Sequence, residues 1–567
     1  MMTTSWTGRR WAARASGPAN GRSLAERVLD ARGITGPSGA AWLGAGRDQL
    51  LDPADLLGMA PALSRLERAL SDGEHIRLVT DYDVDGTTSC LILHAALDRR
   101  VATGGSARSA RVTYHIPDRM REGYGLSELA VRTAAADGVH LIVTADIGVR
   151  DHVTVSLARS LGVDVIVVDH HLPAGETVPV DAVAVICPPQ PGCAYANKAL
   201  AACGVSTKLA TALLATDPKR DAILPSLWKL AAIGTVADIV DLSTPENRAL
   251  VALGLAELNR GPHGAGLAAL LSVAGVSVGK ITAETLGFAV GPRINAAGRL
   301  DDANAIVRLF RQRDPEQAMR EARAINQLNL DRRDIQAQMV ERAKAELGRR
   351  GDLPGFLVLG GPEADGWHRG VNGIVAARIR DEFHRPCAMV SVIGELATGS
   401  VRSVPTVHAV RALDGVADLL LRYGGHPVAA GFTLRASDLA AFATRLDAFV
   451  RAHTNDEDLV PVEEFDVVAE ARECTSEAVE ALRAIEPCGK GNPGPRFAVA
   501  GPILNVRTAK EKHAFGTVGR LPFVWWSGVG SLRADPHAEL LGRLEVYEDR
   551  GLSGVRLVVD DGRTATR

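Results

Sequence analysis

At 567 residues the chain is long enough for several domains, and with 46% apolar residues it can bury sizeable cores. Its net charge of −3 excludes a uniformly basic surface for nucleic acid, though not a local basic track masked in the sum by acidic residues. No apolar run reaches the roughly 18 residues that span a bilayer. Seven scattered cysteines without a CxxC pair read as reduced thiols of a cytoplasmic protein, not as a disulfide framework.

The first 23 residues carry Trp6, Arg9, Arg10, Trp11 and Arg14, no acidic residue and no apolar stretch. They predict a transit-like or disordered tail, not a signal peptide, with a lead-in to about residue 45. From Leu24 to about Phe310, short apolar runs alternate with helical patterns. That alternation predicts βαβ units and a mainly parallel sheet, hence an α/β fold. Three runs end in chemistry-bearing residues. Residues 76–80 lead into Asp81-Tyr82-Asp83-Val84-Asp85-Gly86, and 141–145 lead into Asp146-Ile147-Gly148. Residues 164–168 lead into Asp169-His170-His171. Helices are predicted over 87–98 and 152–161, with Thr87, Thr88 and Ser89 capping the first.

The carboxyl ends of strands in an open parallel sheet open onto the ligand crevice, so these three turns converge on one acidic pocket. Clustered carboxylates repel, and a cation resolves the conflict. Oxygen ligands with one or two imidazoles suit Mn²⁺ or Mg²⁺. Two such ions bridged by a carboxylate drive phosphodiester hydrolysis. Asp146, before Gly148, is the best candidate for the bridge. An EF-hand calcium loop is excluded, because the twelfth position counted from Asp81 is Ile92 and a strand precedes the turn.

The segment 311–350 is highly charged and spaces Ile325, Leu328, Ile335, Met339 and Leu347 helically, which predicts one or two long connecting helices. A second α/β unit is predicted over 351–455, starting at Gly355-Phe356-Leu357-Val358-Leu359, with a linker at 455–465. Short apolar runs at 497–500 and 555–559 predict a small β domain within 456–567. Gly399-Ser400-Val401-Arg402-Ser403 presents an arginine between two hydroxyls, a donor set that suits phosphate. In Gly291–Arg299, the small residues admit a close strand, which Arg293, Asn295 and Arg299 would meet.

The stretches DYDVDGTTS (81–89), YHIPDRMREGYG (114–125), TADIGV (144–149), VVDHH (167–171) and IGTVADIVDL (233–242) also carry a family pattern. It continues through VGPRINAAGRLDDA (290–303), WHRGVNGIVAARI (367–379), GSVRS (399–403), GGHPVAAGF (424–432) and CGKGNPGPRF (488–497). In this order the chain resembles a RecJ-type single-stranded-DNA-specific exonuclease of the DHH phosphoesterase superfamily. Cys488, where an aromatic is common, and Asn372, where an aliphatic is common, depart from the pattern.

The resemblance implies a parallel-sheet DHH domain (46–310), a connecting helix (311–350), a smaller DHHA1-like α/β domain (351–455) and an oligonucleotide-binding (OB-like) β domain (456–567). It implies two Mn²⁺ or Mg²⁺ ions held by Asp81, Asp83, Asp85, Asp146, His170 and Asp238. Which of the first three serves which ion stays open. Asp238 read alone is a helix cap. His171 would face the scissile phosphate as an electrostatic or acid group. Arg119 with Ser400 and Arg402 would hold a 5′-terminal phosphate, and Arg293, Asn295, Arg299 and His426 would meet the strand. Trp525, Trp526 and Phe523 are stacking candidates in the β domain, with core packing as the competing role. The implied activity is removal of nucleotides from single-stranded DNA in the 5′→3′ direction, for repair and recombination. The implied protein is a cytoplasmic monomer, off the membrane, partnered by a single-stranded-DNA-binding protein and a helicase. The rivals are a hydrolase of short oligonucleotides or cyclic dinucleotides, whose members lack the terminal β domain, and a non-catalytic replication scaffold, whose members have lost metal ligands.

Overall fold

The computed structural model describes residues 5–15, 21–104, 109–118, 121–300, 302–533, 535–549 and 552–565. They form two compact units, one of residues 40–330 with 485–494, the other of residues 1–39, 331–484 and 495–567. The amino-terminal strand β1 (Arg10–Ala13) belongs to the second unit and is taken up there.

The first unit is built on five strands: β2 (His75–Thr80), β3 (Arg111–His115), β4 (Leu141–Ala145), β5 (Asp164–Val168) and β6 (Ala184–Ile186). They lie in the order β3-β2-β4-β5-β6, every pair parallel. Alternate residues of each strand enter different cores, as the period of two requires. Ile76, Leu78, Leu141, Val143, Ile166 and Val168 pack on one face, and Val79, Ile142, Val165 and Val167 on the other. Both faces are therefore covered, which is why the runs read as continuous apolar stretches. Burying each of these side chains contributes about 1.5–3 kcal/mol.

The predicted alternation of strands and helices to Phe310 stops early. After Ile186, the described elements up to Arg311 are all helical. Segments such as Ala231–Ala237 are apolar all round, and periodicity cannot tell a short buried helix segment from a buried strand. The connecting segment is one helix, Pro315–Arg349, preceded by the short helix Asn304–Arg311.

The second unit holds two larger sheets. One comprises β7 (Leu357–Pro362), β8 (Cys387–Ile393), β9 (Leu396–Arg402), β10 (Leu420–His426) and β11 (Ala429–Arg435), in the order β10-β11-β9-β8-β7. The short strand β12 (Val462–Phe465) precedes the other, seven-stranded sheet. That sheet orders β13 (Val467–Ala469), β14 (Phe497–Gly501), β15 (Ile503–Ala509), β16 (His513–Val518), β17 (Leu521–Trp525), β18 (Ala538–Asp549) and β19 (Leu552–Thr564) as β13-β14-β18-β19-β17-β16-β15.

Two expectations are corrected here. The amino-terminal segment is no free tail, because β1 pairs in parallel with β12, inside the expected 455–465 linker. Trp11 packs edge-on to Phe465 at 6.2 Å and donates its indole N–H to Asp561 at 2.9 Å, and Trp6 stacks on Trp525 at 6.4 Å. Arg32 meets Asp466 through two bonds of 2.8 and 3.0 Å, with both side chains buried. The strand's partner lies some 450 residues away in the chain, beyond the reach of any local pattern. Among the described residues, no helix is long and apolar enough to cross a membrane.

Candidate metal centre

The three acidic turns follow the adjacent parallel strands β2, β4 and β5 at the same end, so the sheet itself gathers them. After β2 the chain turns at Asp81-Tyr82-Asp83 into the helix Val84–Thr103. Asp83, not Thr87 to Ser89, is its N-cap, with Oδ1 accepting from the N–H of Asp85 (2.8 Å) and Gly86 (3.0 Å). A carboxylate oxygen of Asp83 also lies within 4.8 Å of ligand atoms of Asp81 and Asp146. Gly86 is required because a Cβ there would lie 2.3 Å from the carbonyl oxygen of Asp81. Asp85 is wholly buried, and its two oxygens accept the backbone N–H of Ala202 (2.7 Å) and Cys203 (2.8 Å) at the start of the helix Ala202–Leu213. That helix end offsets part of its charge.

Asp146 stands in the left-handed region at φ 65°, and Gly148 follows at φ 116°. A non-glycine residue held there costs about 1–3 kcal/mol and is kept only where its surroundings impose it. The N–H of Asp146 is tied to the Val168 carbonyl at 3.0 Å. Asp238 comes from elsewhere. It is the C-cap of the helix Arg220–Ala237, as the cap reading expected, and Ile239 after it is also left-handed at φ 58°. A carboxylate at a helix C-terminus meets the negative end of the dipole, so a cation beside it relieves both charges.

The six ligand candidates meet. Ligand atoms of Asp81, Asp83 and Asp146 lie within 4.8 Å of one another, as do those of Asp85, His170 and Asp238, and those of Asp146, His170 and His171. His170 Nε2 is 3.1 Å from Asp146 Oδ1 and 3.8 Å from both Asp85 Oδ2 and Asp238 Oδ2. Yet this buried nitrogen makes no hydrogen bond of acceptable geometry. Burial, compounded by Asp83, Asp85, Asp81 and Asp238, pushes Asp146 well above the usual carboxylate range. Burial and Asp85 push Asp238 up to about 8, against the opposing charge of His170. Burial and Asp83 push up Asp85, though His170 opposes. Crowded carboxylates and an orphaned imidazole nitrogen fit divalent cations, and the oxygen-rich donor set fits Mn²⁺ or Mg²⁺.

Asp169 plays a part that reading the sequence missed. It accepts from the N–H of His170 (2.7 Å), His171 (3.1 Å) and Val149 (3.0 Å), and from His171 Nδ1 (2.8 Å). Burial raises its pKa, but the hydrogen bond from His171 and the charges of both histidines outweigh that and hold it at about 2. The available signal was an Asp one and two residues before the backbone N–H groups it accepts from, a local side-chain-to-backbone pattern. Asp169→Asn is expected to destabilise the fold by about 1.5–3 kcal/mol, the worth of charge-assisted bonds. Thermal denaturation checks this, and an unchanged midpoint contradicts it.

The other expected residues are placed as follows. Gly298 lies against the acidic turn, where a Cβ would stand 2.5 Å from the Tyr82 carbonyl oxygen. Its smallness serves protein packing, and it puts the helix Gly291–Leu300, with Asn295 and Arg299, beside the centre. Arg293 is engaged with Asn326 (2.9 Å) and the Ala289 carbonyl (2.6 Å) and holds that helix in place. Arg119 lies outside the described residues. In the second unit, Arg402 pairs across Ala429 with His426, so the two share one face of the sheet. Ser400 pairs across Gly431 with Gly424, two positions where an added Cβ would meet open space. The Arg402 guanidinium lies over the first turn of the helix Asn372–Phe383, where a Cβ on Gly373 would stand 2.8 Å from Nη2. Asn372, the departure from the aliphatic pattern, is satisfied by Ser391 at 3.2 Å. Only one hydroxyl flanking Arg402 faces outward, because Ser403 is buried and donates to the Val407 carbonyl.

A doubly covered parallel sheet with this donor set at its carboxyl ends defines a DHH-type metal phosphoesterase core. Residues 75–235 match the DHH family N-terminal domain, 355–452 the DHHA1 domain and 465–561 the RecJ OB domain. The chain is 36% identical over 542 residues to the single-stranded-DNA-specific exonuclease RecJ of Dickeya dadantii, covering 90% of this chain and 91% of that one. It is 34% identical over 573 residues to the RecJ of Escherichia coli, covering 96% of each. The RecJ of Bacillus subtilis is 36% identical over 485 residues, 85% of this chain, which spans 59% of that protein's length. The crystal structure of Thermus thermophilus RecJ in complex with Mn²⁺ matches with a TM-score of 0.80 at 29% identity, over 98% of this chain and 80% of that one. The chain belongs to the RecJ family.

Proposed function

We propose that this chain is a metal-dependent exonuclease that hydrolyses single-stranded DNA from the 5′ end, in DNA repair and recombination. The observation that carries the reading is the convergence of all six ligand candidates in a chain of this family. A scaffold that had lost catalysis would not keep the set. Asp81, Asp83 and Asp146 would hold one ion, and Asp85, His170 and Asp238 the other, with Asp146 bridging. Mn²⁺ or Mg²⁺ bound there would lower the pKa of water and offset charge on the phosphate. His171, oriented by Asp169, would face the scissile phosphate.

Ser400 and Arg402 would hold the strand's 5′-terminal phosphate, and His426, on the same sheet face, would meet the strand. The bare sheet face at Gly424 and Gly431 lets the backbone approach. Asn295 and Arg299 would contact the strand near the metals; we assign Arg293 to holding their helix. The domain division we infer is 46–310, 311–350, 351–455 and 456–567 after a lead-in of 1–45, with 485–494 serving the first of these domains. We further propose that the enzyme works in the cytoplasm as a monomer, beside a single-stranded-DNA-binding protein and a helicase. These partners, the compartment and the oligomeric state rest on the family resemblance.

Affinity for long strands is assigned to the terminal β domain. Phe523 and Trp525 are buried, so core packing is their role, whereas Trp526 is half exposed. His513 and Phe515 stand edge-on to it at 5.1 and 5.9 Å. Trp526→Ala should weaken binding of long single strands by about 1–3 kcal/mol, the worth of one stacked base. Short oligonucleotides should be cleaved as before. Titration at one salt concentration checks this, and equal affinity of the two proteins would rule it out.

The reading itself is tested with purified protein, Mn²⁺, and 5′- and 3′-labelled single strands, duplex and RNA. Stepwise loss from the 5′ end of single-stranded DNA, abolished by EDTA, is expected. Degradation from the 3′ end, or equal rates on duplex, overturns it.

A further inference from the structure

Tyr124 is delivered to the metal centre by a loop whose anchors do not involve its own side chain. Ser127 caps the helix Glu128–Ala136 by accepting the Ala130 N–H at 3.0 Å, and Glu122 accepts from the Ser127 hydroxyl at 3.0 Å. The Leu126 N–H donates to Asp151 at 2.7 Å. Gly125, at φ 98°, lies so close that a Cβ would stand 2.9 Å from Asp151 Oδ1. Between these fixed points Tyr124 is 56% exposed as a residue. Its hydroxyl nevertheless stands 3.2 Å from His171 Nε2 and donates to the Asp146 carbonyl oxygen at 3.3 Å. The two rings meet edge-on at 5.9 Å.

Asp169 accepts from His171 Nδ1, and the Tyr124 hydroxyl lies against the same ring, 3.2 Å from Nε2 and 3.4 Å from Nδ1, while donating to the backbone carbonyl of the strained residue Asp146. We propose that Tyr124 is a positioning residue: its hydroxyl ties the His171 ring to the Asp146 backbone, and so sets the imidazole that meets the scissile phosphate relative to the carboxylate between the metals. This rests on the nuclease reading above and deepens it. Tyr124 touches no substrate atom in this role; it acts through His171.

The test is a double-mutant cycle. Tyr124→Phe keeps the ring and removes only the hydroxyl. On single-stranded DNA with Mn²⁺, it should lower kcat about tenfold, the size of one lost hydrogen bond, with KM and the melting midpoint unchanged. In the His171→Ala background the same substitution should cost nothing further, because the group being positioned is gone. The same cost in both backgrounds overturns the proposal, as does full activity of Tyr124→Phe, or a loss confined to KM. A wild-type enzyme that fails to hydrolyse single strands would instead sink the underlying nuclease reading, so the two failures are distinguishable.

Discussion

Asp146→Asn should abolish hydrolysis while leaving the fold intact. The ligand atom of Asp146 lies within 4.8 Å of those of Asp81 and Asp83, and its Oδ1 is 3.1 Å from His170 Nε2 of the other ligand set, which places it between the two sets. An amide of the same shape cannot offset two divalent charges. The expected loss in kcat is at least about a thousandfold, or about 4 kcal/mol of transition-state stabilisation. Stability should move the opposite way. Without metal, burial and four neighbouring aspartates disfavour the charged carboxylate, so removing that charge relieves repulsion. In EDTA the variant should melt at or above the wild type. With Mn²⁺ at a hundredfold excess over Kd, the wild type should gain about 2.7 kcal/mol per site, and the variant little. Substantial Mn²⁺-dependent activity in Asp146→Asn would sink the bridging assignment. A variant that melts lower in EDTA would show that the electrostatic account of the empty centre is wrong.

Arg402→Ala should slow cleavage of 5′-phosphorylated strands by roughly ten- to a hundredfold, with much less effect on 5′-hydroxyl strands. A charge-assisted hydrogen bond to phosphate is worth about 1.5–3 kcal/mol, and a 5′-hydroxyl strand already lacks that partner. The local structure supplies the reason. The guanidinium lies over the first turn of a twelve-residue helix, where backbone N–H groups and the dipole favour an anion. Ser400 stands two residues back on the same face of β9, and His426 is across the sheet. Rates must be compared at fixed ionic strength, because every phosphate contact weakens with salt. An equal slowing of both substrates would make Arg402 a general backbone contact and move end recognition elsewhere.

Much of the centre was legible before any fold was known. Apolar runs of strand length followed at once by acidic or imidazole residues imply strand ends, and a parallel sheet puts such ends together. That the turns at 81–86, 146–148 and 169–171 would meet in one acidic pocket followed from that alone, as did the class of metal; the choice of His170 over His171 as ligand came from the resemblance. Asp238 did not follow from strand ends, because it sits at a helix C-terminus, and an isolated aspartate there looks like any cap. The same limit hid the helical nature of residues 202–311, where short apolar runs carry no period that separates buried helix from buried strand.

What the chain alone determined is what local pattern encodes: strand and helix type, the turns that carry the ligands, and the oxygen-rich donor set that selects a hard cation. What only the tertiary structure decided depends on residues far apart in the chain. The pairing of Arg10–Ala13 with Val462–Phe465 made a strand of an apparent tail. The segment 485–494 packs with residues 40–330, where Gly491 leaves room for Asp241 and the Ile485 carbonyl accepts from the buried Arg248. The anchoring of Asp85 by a helix that starts at Ala202, and the reach of Tyr124 to His171, belong to the same class. Backbone preference acts over a few residues, so it can write a turn or a helix. It cannot say which distant donor will satisfy a buried carboxylate; that is settled when the cores close and each buried polar group must find a partner.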